Sequence, residues 1–281
     1  MKPRKYLENE YIKADDVWVR NFCKDCKPVG LTNLYRPDDY GFIASNEQSN
    51  SYLANIAEEK IKFKKVIIIS DGYNFNKRHL LLEKFPNDIC ILAVNRALAL
   101  WGLVGKKSIN AYVVNNPYTE CLNFVPKNKY YPICIASYRT NRAFIKSYKN
   151  NVYAYCPTAD HRFGLEHHEK YSIDDYRSPI CAAIGLSYQF GVEKLMLMCC
   201  DDSFKDKRDF AVQLENNLWT YPQNLKLKNI IDANLYWLGH QTDKEVSIAD
   251  WSDAGYYANA TYINGEKEAL DFFIDEETNA E

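Results

Sequence analysis

The chain has 281 residues, with 35 Lys and Arg against 37 Asp and Glu, a formal net charge of −2. That near balance creates no overall field toward nucleic acid or an anionic membrane surface, although it leaves room for a local basic pocket. Hydrophobic residues make up 47% of the chain, ample for a core, yet no apolar run approaches the ~20 residues that span a bilayer.

Residues 1–60 mix charges, aromatics and turn formers without a clear period, which predicts an N-terminal extension closing with a helix near 50–60. The start, MKPRKYLENEYIK, is basic with no apolar stretch behind it, so an intracellular, cytoplasmic protein is expected. Cys23 and Cys26 form one C-x-x-C pair with no second pair or close His doublet at finger-like spacing, and a surface loop is the simpler reading. Regular structure begins at Lys64. KVIIIS (65–70) is apolar and β-branched without alternation, as in a strand covered on both faces of a parallel sheet. NKRHLLLEKF then predicts a crossover helix, ICILAVN (89–95) a second strand, RALALWGLVGKK a second helix and INAYVVNN (109–116) a third strand.

Further strands are predicted at 132–137 and 152–156. The polar, aromatic-dotted segment 157–177, with His161, His167 and His168, reads either as a lid over a cleft or as a solvated loop. SPICAAIGLSYQFG (178–191) predicts a helix opened by Ser178 as N-cap and Pro179 at the first helical position. The strand VEKLMLMCCDD (192–202), a helix within 224–241, the strand EVSIADWS and an acidic tail (271–281) complete the chain. Most of the nine cysteines lie inside apolar runs, where free thiols act as small core hydrophobes in a reducing compartment. The alternation of strand and helix predicts an α/β fold: a doubly wound, mostly parallel Rossmann-like sheet over residues 61–270.

Ligands of such sheets bind beyond the carboxyl ends of the strands. Those ends read SDGYN (70–74), NR (95–96), NNP (115–117), DDSF (201–204) and DWSDAG (250–255). They supply neutral donors and acceptors suited to a base, a ribose or a sugar, though Asn, Asp, Ser and Gly are also the ordinary turn formers. Neither G-x-G-x-x-G nor G-x-x-x-x-G-K-[ST] occurs, which argues against a dinucleotide site and a P-loop.

The order SDGYN, FPNDICILAVN, GKKSINAYVVNNP and SPICAAIGLSYQFGVEKLMLMCCDD resembles the superfamily that joins bacterial sialyltransferases to the MptE-like family. The latter includes 6-hydroxymethylpterin diphosphokinase and the Maf flagellin glycosyltransferases. The resemblance covers about residues 64–205. In that family the first strand ends in Gly-Asn/Ala-Gly-Pro-Ser and a later one in Gly-x-Asp. Ser70 and Tyr73 depart from the first glycine and the proline.

The resemblance implies a glycosyltransferase using a CMP-linked, sialic-acid-like sugar and a glycan or protein acceptor, with no required cofactor or metal. It implies that Gly72 and Asn74 face phosphate and that Asn95 and Asn116 face the nucleotide-activated sugar. Ser178 would meet the donor phosphate from a helix N-terminus, Arg177 would neutralise it, and Asp202 would hydrogen-bond ribose. His240 stands in surroundings similar to the sialyltransferase base; it reads alternatively as a helix-end residue favourable to the dipole. A diphosphokinase is the second implication, with Asp201, Asp202 and Asp71 around Mg²⁺. The third is a nucleotide-binding or assembly protein with the fold alone.

Overall fold

The computed structural model describes residues 62–72, 74–99, 109–116, 119–125, 131–137, 140, 142–149, 152–157, 172–173, 175, 178–201, 221–241, 245–252 and 257–274. The N-terminal extension, Arg177, Asp202, most of the lid-like segment and the end of the tail lie outside these residues.

Nine strands form one parallel order, β6-β5-β4-β3-β2-β1-β7-β8-β9. They are β1 Lys65–Ile69, β2 Cys90–Val94, β3 Ala111–Val114, β4 Ile133–Ser137, β5 Val152–Pro157, β6 Ser172–Ile173, β7 Lys194–Met198, β8 Ser247–Trp251 and β9 Thr261–Tyr262. The chain lays β1 to β6 outward in one direction, then returns to place β7 on the other side of β1, in register from Lys65 opposite Lys194 to Ile69 opposite Met198. The order reverses there, which defines the switch point of a doubly wound, Rossmann-like α/β sheet.

The unalternating apolar strands are buried on both faces. Val66 and Ile68 belong to one core layer, Ile67 and Ile69 to the other. The first layer is closed by two helices, α3 (Pro179–Gln189) and α4 (Tyr221–Gln241), which pack against each other. Ser178 caps α3, its hydroxyl accepting from the Cys181 N–H at 3.5 Å, and Pro179 follows at the first helical position. The helix stops in a Schellman motif. Gly191 (φ +74°) donates to the Tyr188 carbonyl at 2.9 Å and Val192 to that of Ser187 at 3.2 Å. Ala182 and Ala183 are fully buried, and such small side chains let α3 lie close over β1, β2 and β3.

Several elements differ from expectation. The first crossover is one α-turn, α1 (Phe75–Arg78), followed by a 3₁₀ segment, His79–Lys84. Both ends are pinned by distant contacts. Arg78 donates to the Trp251 carbonyl and lies over its ring, while Phe85 meets Phe273 edge-on at 5.7 Å between centroids. A 3₁₀ path, rising ~2 Å per residue, spans more distance with the same residues than an α-helix. Within the lid-like segment, Ser172–Ile173 forms β6, pairing parallel with Cys156 and Pro157. A short α2 (Arg142–Ser147) and an unforeseen α5 (Glu266–Asp271) complete the helices used below.

Candidate active site at the switch point

Adjacent parallel strands lie ~4.8 Å apart, so the carboxyl ends of β1, β2 and β3 sit within ~10 Å of one another, the reach of one nucleotide. Helix α3 runs back over these strands, bringing its N-terminus to the same edge. The crevice expected at such a switch point is bordered by Ser70–Gly72, Asn95–Arg96, Asn115–Asn116, the start of α3 and Cys199–Asp201, which all follow strand ends or open a helix at this edge.

Ser70, Asp71, Asn95 and Arg96 form one network. The Asn95 amide donates to the Ser70 hydroxyl at 2.9 Å, and Ser70 donates to Asp71 Oδ1 at 3.2 Å. Arg96 Nε reaches Asp71 Oδ2 at 2.7 Å. The guanidinium balances a carboxylate that is otherwise buried at the mouth of β1. Asn95 sits in the left-handed region (φ 52°), where asparagine is tolerated better than most residues, and its carbonyl accepts from the Tyr112 hydroxyl at 2.8 Å.

Gly72 has a structural role besides the phosphate contact expected of it. Its N–H donates to the Cys199 carbonyl at 2.9 Å, and a Cβ built at Gly72 lies 2.3 Å from that oxygen and 2.5 Å from Asp201 Oδ2. The glycine lets the β1 turn touch the end of β7. Asn74 opens α1 without a side-chain cap; its carbonyl accepts from Lys77 and Arg78.

The second network surrounds Asp175, which is buried immediately before α3. Its Oδ2 accepts from the Asn115 amide at 2.6 Å and from the Tyr155 hydroxyl at 3.1 Å, and its carbonyl accepts from the Ser178 N–H at 2.7 Å. Thr140 donates to the Val114 carbonyl at 3.2 Å. Asp175 and Asn115 thus fix the start of α3 over the end of β3. Sequence reasoning passed over both. The period-two alternation, which puts Asn115 on the α3 face with Val113, was the available signal. Asn116, one residue on, is half-buried.

Asn115→Ala is therefore expected to cost about 1–3 kcal/mol of stability, by leaving a buried carboxylate with one donor fewer. Asn116→Ala, by contrast, is expected to weaken the binding of a polar ligand seated at these strand ends by about 1–3 kcal/mol. Urea unfolding and a binding titration on both variants check this division; the reverse assignment of effects would remove Asn116 from the site.

On the other side of the switch point Cys199 adopts φ 54°, a conformation that favours glycine. Asp201, two residues on, is buried against Gly72. Behind it lies Asp250, 1% exposed at the end of β8. Its Oδ1 accepts from the Ser252 N–H at 3.1 Å, while Oδ2 has no hydrogen-bond partner among the described residues. Burial first, then the neighbouring Asp201, pushes its pKa up to about 7, against the lowering effect of the Ser252 hydrogen bonds. Among the described residues no group of three or more His, Cys, Asp and Glu is arranged to hold a metal ion. The buried cysteines belong to the core rather than the chemistry, burial alone pushing Cys90 up to about 12.

The structure does not bring His240 to this crevice. It lies in the last turn of α4, seven residues before β8, where a Cβ built at Gly239 would lie 4.0 Å from Ile248 Cδ1. That is the amino-end edge of the sheet, across a five-residue strand, which spans ~16 Å. Its Nδ1 is 2.7 Å from the Tyr236 carbonyl and its ring stacks on Tyr236 at 4.0 Å, as expected of a helix-end residue.

Fold and crevice together define a Rossmann-like α/β protein whose polar strand ends meet a helix N-terminus. No family model matches the sequence, and no curated protein does. Among solved structures, the chain is similar to a Maf glycosyltransferase from Magnetospirillum magneticum AMB-1, with TM-score 0.55 and 11% identity over 80% of this chain and 41% of that one. The chain thus spans less than half of that protein's length, and at this identity the likeness is one of fold. Among the described residues no helix is long and apolar enough to cross a membrane.

Proposed function

We propose that the switch-point crevice binds a nucleotide-activated sugar and that the chain transfers this sugar to a glycan or protein acceptor. The observation that carries the reading is the juxtaposition of Ser70, Asn95 and Asn116 at adjacent strand ends with the N-terminus of α3. Amides and hydroxyls suit the base, ribose and sugar hydroxyls, and a helix N-terminus suits the phosphate. Arg177 precedes the α3 cap by one residue in the sequence, and in this reading it neutralises the phosphate. The motif order favours a CMP-linked, sialic-acid-like donor, and the fold likeness to a Maf glycosyltransferase agrees in class. In this reading no metal is required, and Asp201, next to the β1 turn, takes the ribose contact first given to Asp202.

The diphosphokinase reading is favoured by one feature, the placement of the buried carboxylates Asp71 and Asp201 on the two sides of the switch point. Thermal shift with CMP, a CMP-linked nonulosonic acid and ATP, each with and without Mg²⁺, separates the readings. The glycosyltransferase reading expects stabilisation by the CMP compounds without metal, ~2.7 kcal/mol at a hundredfold excess over Kd. Stabilisation only by ATP with Mg²⁺ would replace it with the diphosphokinase. CMP binding without sugar transfer to any glycan or protein acceptor would leave a binding protein.

A further inference from the structure

At the end of the molecule opposite the crevice, the last turns of α3 and α4 carry an exposed aromatic patch. Tyr188 is 39% exposed, Trp237 39% and Tyr236 53%. Tyr188 and Trp237 meet at 4.8 Å between ring centroids, joining the two helices, and Tyr236 stacks on His240 beside them. The described chain starts next to this patch. Phe63 packs edge-on against Phe190 at 5.0 Å, its N–H donating to the Phe190 carbonyl at 3.2 Å, two residues beyond Tyr188 on the same helix.

We propose that residues 50–61 of this chain dock on the Tyr188–Trp237–Tyr236 patch as an amphipathic helix. Three observations favour this occupant. The stretch NSYLANIAEEKI sets Leu53, Ile56, Ala57 and Ile61 at i, i+3, i+4 and i+8, one apolar stripe, with Asn55, Glu58 and Glu59 off it. Ile61 is two residues before Phe63, so it lies within ~7 Å along the chain of a residue anchored beside Tyr188. The patch is also small. At 39–53% exposure the three aromatic side chains offer roughly 200–400 Å², well below the ~800 Å² that each partner of a stable dimer buries. A tethered segment works at millimolar effective concentration and needs less.

Hydrogen exchange on the full chain tests the docking, comparing wild type with Tyr188→Ser/Trp237→Ser and, separately, with Leu53→Asp/Ile56→Asp. The expected result is that wild-type amides of 53–61 exchange at least ~10-fold more slowly than an unstructured chain, and that either pair of substitutions abolishes this protection. The amides of β1 and β7 should remain as protected as in wild type. The second pair changes no residue of the sheet or its covering helices, so it decides the matter if the first fails to fold. Unprotected amides at 53–61 in wild type, or protection that survives both pairs, would overturn the proposal. So would a concentration-dependent dimer in which Tyr188 and Trp237 are covered by a second copy.

Discussion

Gly72→Ala is expected to lower stability by about 3 kcal/mol, the upper end of what an added methyl group costs in a packed site. The methyl carbon would stand 2.3 Å from the Cys199 carbonyl oxygen and 2.9 Å from its carbon, both backbone atoms of the segment that follows β7. Neither can swing aside as a flexible side chain would. Relief must come from separating the ends of β1 and β7, which breaks the 2.9 Å hydrogen bond from Gly72 to Cys199. Gly239→Ala is the contrasting case. It sits in α4, where an added Cβ would meet Ile248 Cδ1 at 4.0 Å, an ordinary van der Waals contact, and alanine there should stabilise by about 0.5–1 kcal/mol through helix propensity. Urea midpoints for the two variants should move in opposite directions. A Gly72→Ala protein within 1 kcal/mol of wild type would show that the two strand ends are not tightly apposed.

The second large effect is a pH dependence centred on Asp250. Its folded-state pKa is raised from 3.8 to about 7, chiefly by burial and further by Asp201. The folded state therefore holds this proton more tightly than the unfolded chain. The resulting stability is fully present below pH ~4 and is lost as pH rises through ~7. At 1.36 kcal/mol per unit the loss amounts to roughly 4 kcal/mol at most. Asp250→Asn keeps the shape and a carbonyl oxygen to accept from the Ser252 N–H, but cannot ionise. The variant should match wild type near pH 4 and exceed it increasingly toward pH 8, as read by chemical denaturation at each pH. A difference between variant and wild type that stays constant from pH 4 to 8 would mean that Asp250 titrates normally.

The alternation of elements was legible from local pattern. Uninterrupted β-branched runs such as KVIII are found where both faces of a strand are covered, so the parallel sheet and its buried strands followed from the sequence. Ser178 followed by Pro179 marked the start of α3 for a reason confined to three residues, the need to satisfy free N–H groups. The expectation that ligands meet Asn95 and Asn116 rested on the same strand boundaries.

Which polar groups are available at those boundaries depended on contacts between distant segments. Asp71 is balanced by Arg96, Asn115 is held by Asp175 sixty residues away, and Gly72 is set by the backbone of Cys199. No periodicity encodes such pairs. His240 shows the same division. Its neighbours along the chain resemble those of a catalytic base, yet α4 runs antiparallel to the strands and carries it to the opposite edge of the sheet. The sequence alone determined the central strands, the Ser178 cap of α3 and the class of fold, because those arise from hydrogen bonds and burial within a few residues. Only the tertiary structure decided which side chains share the crevice, because that depends on which strands lie side by side, and the return from β6 to β7 across the sheet is a long-range choice.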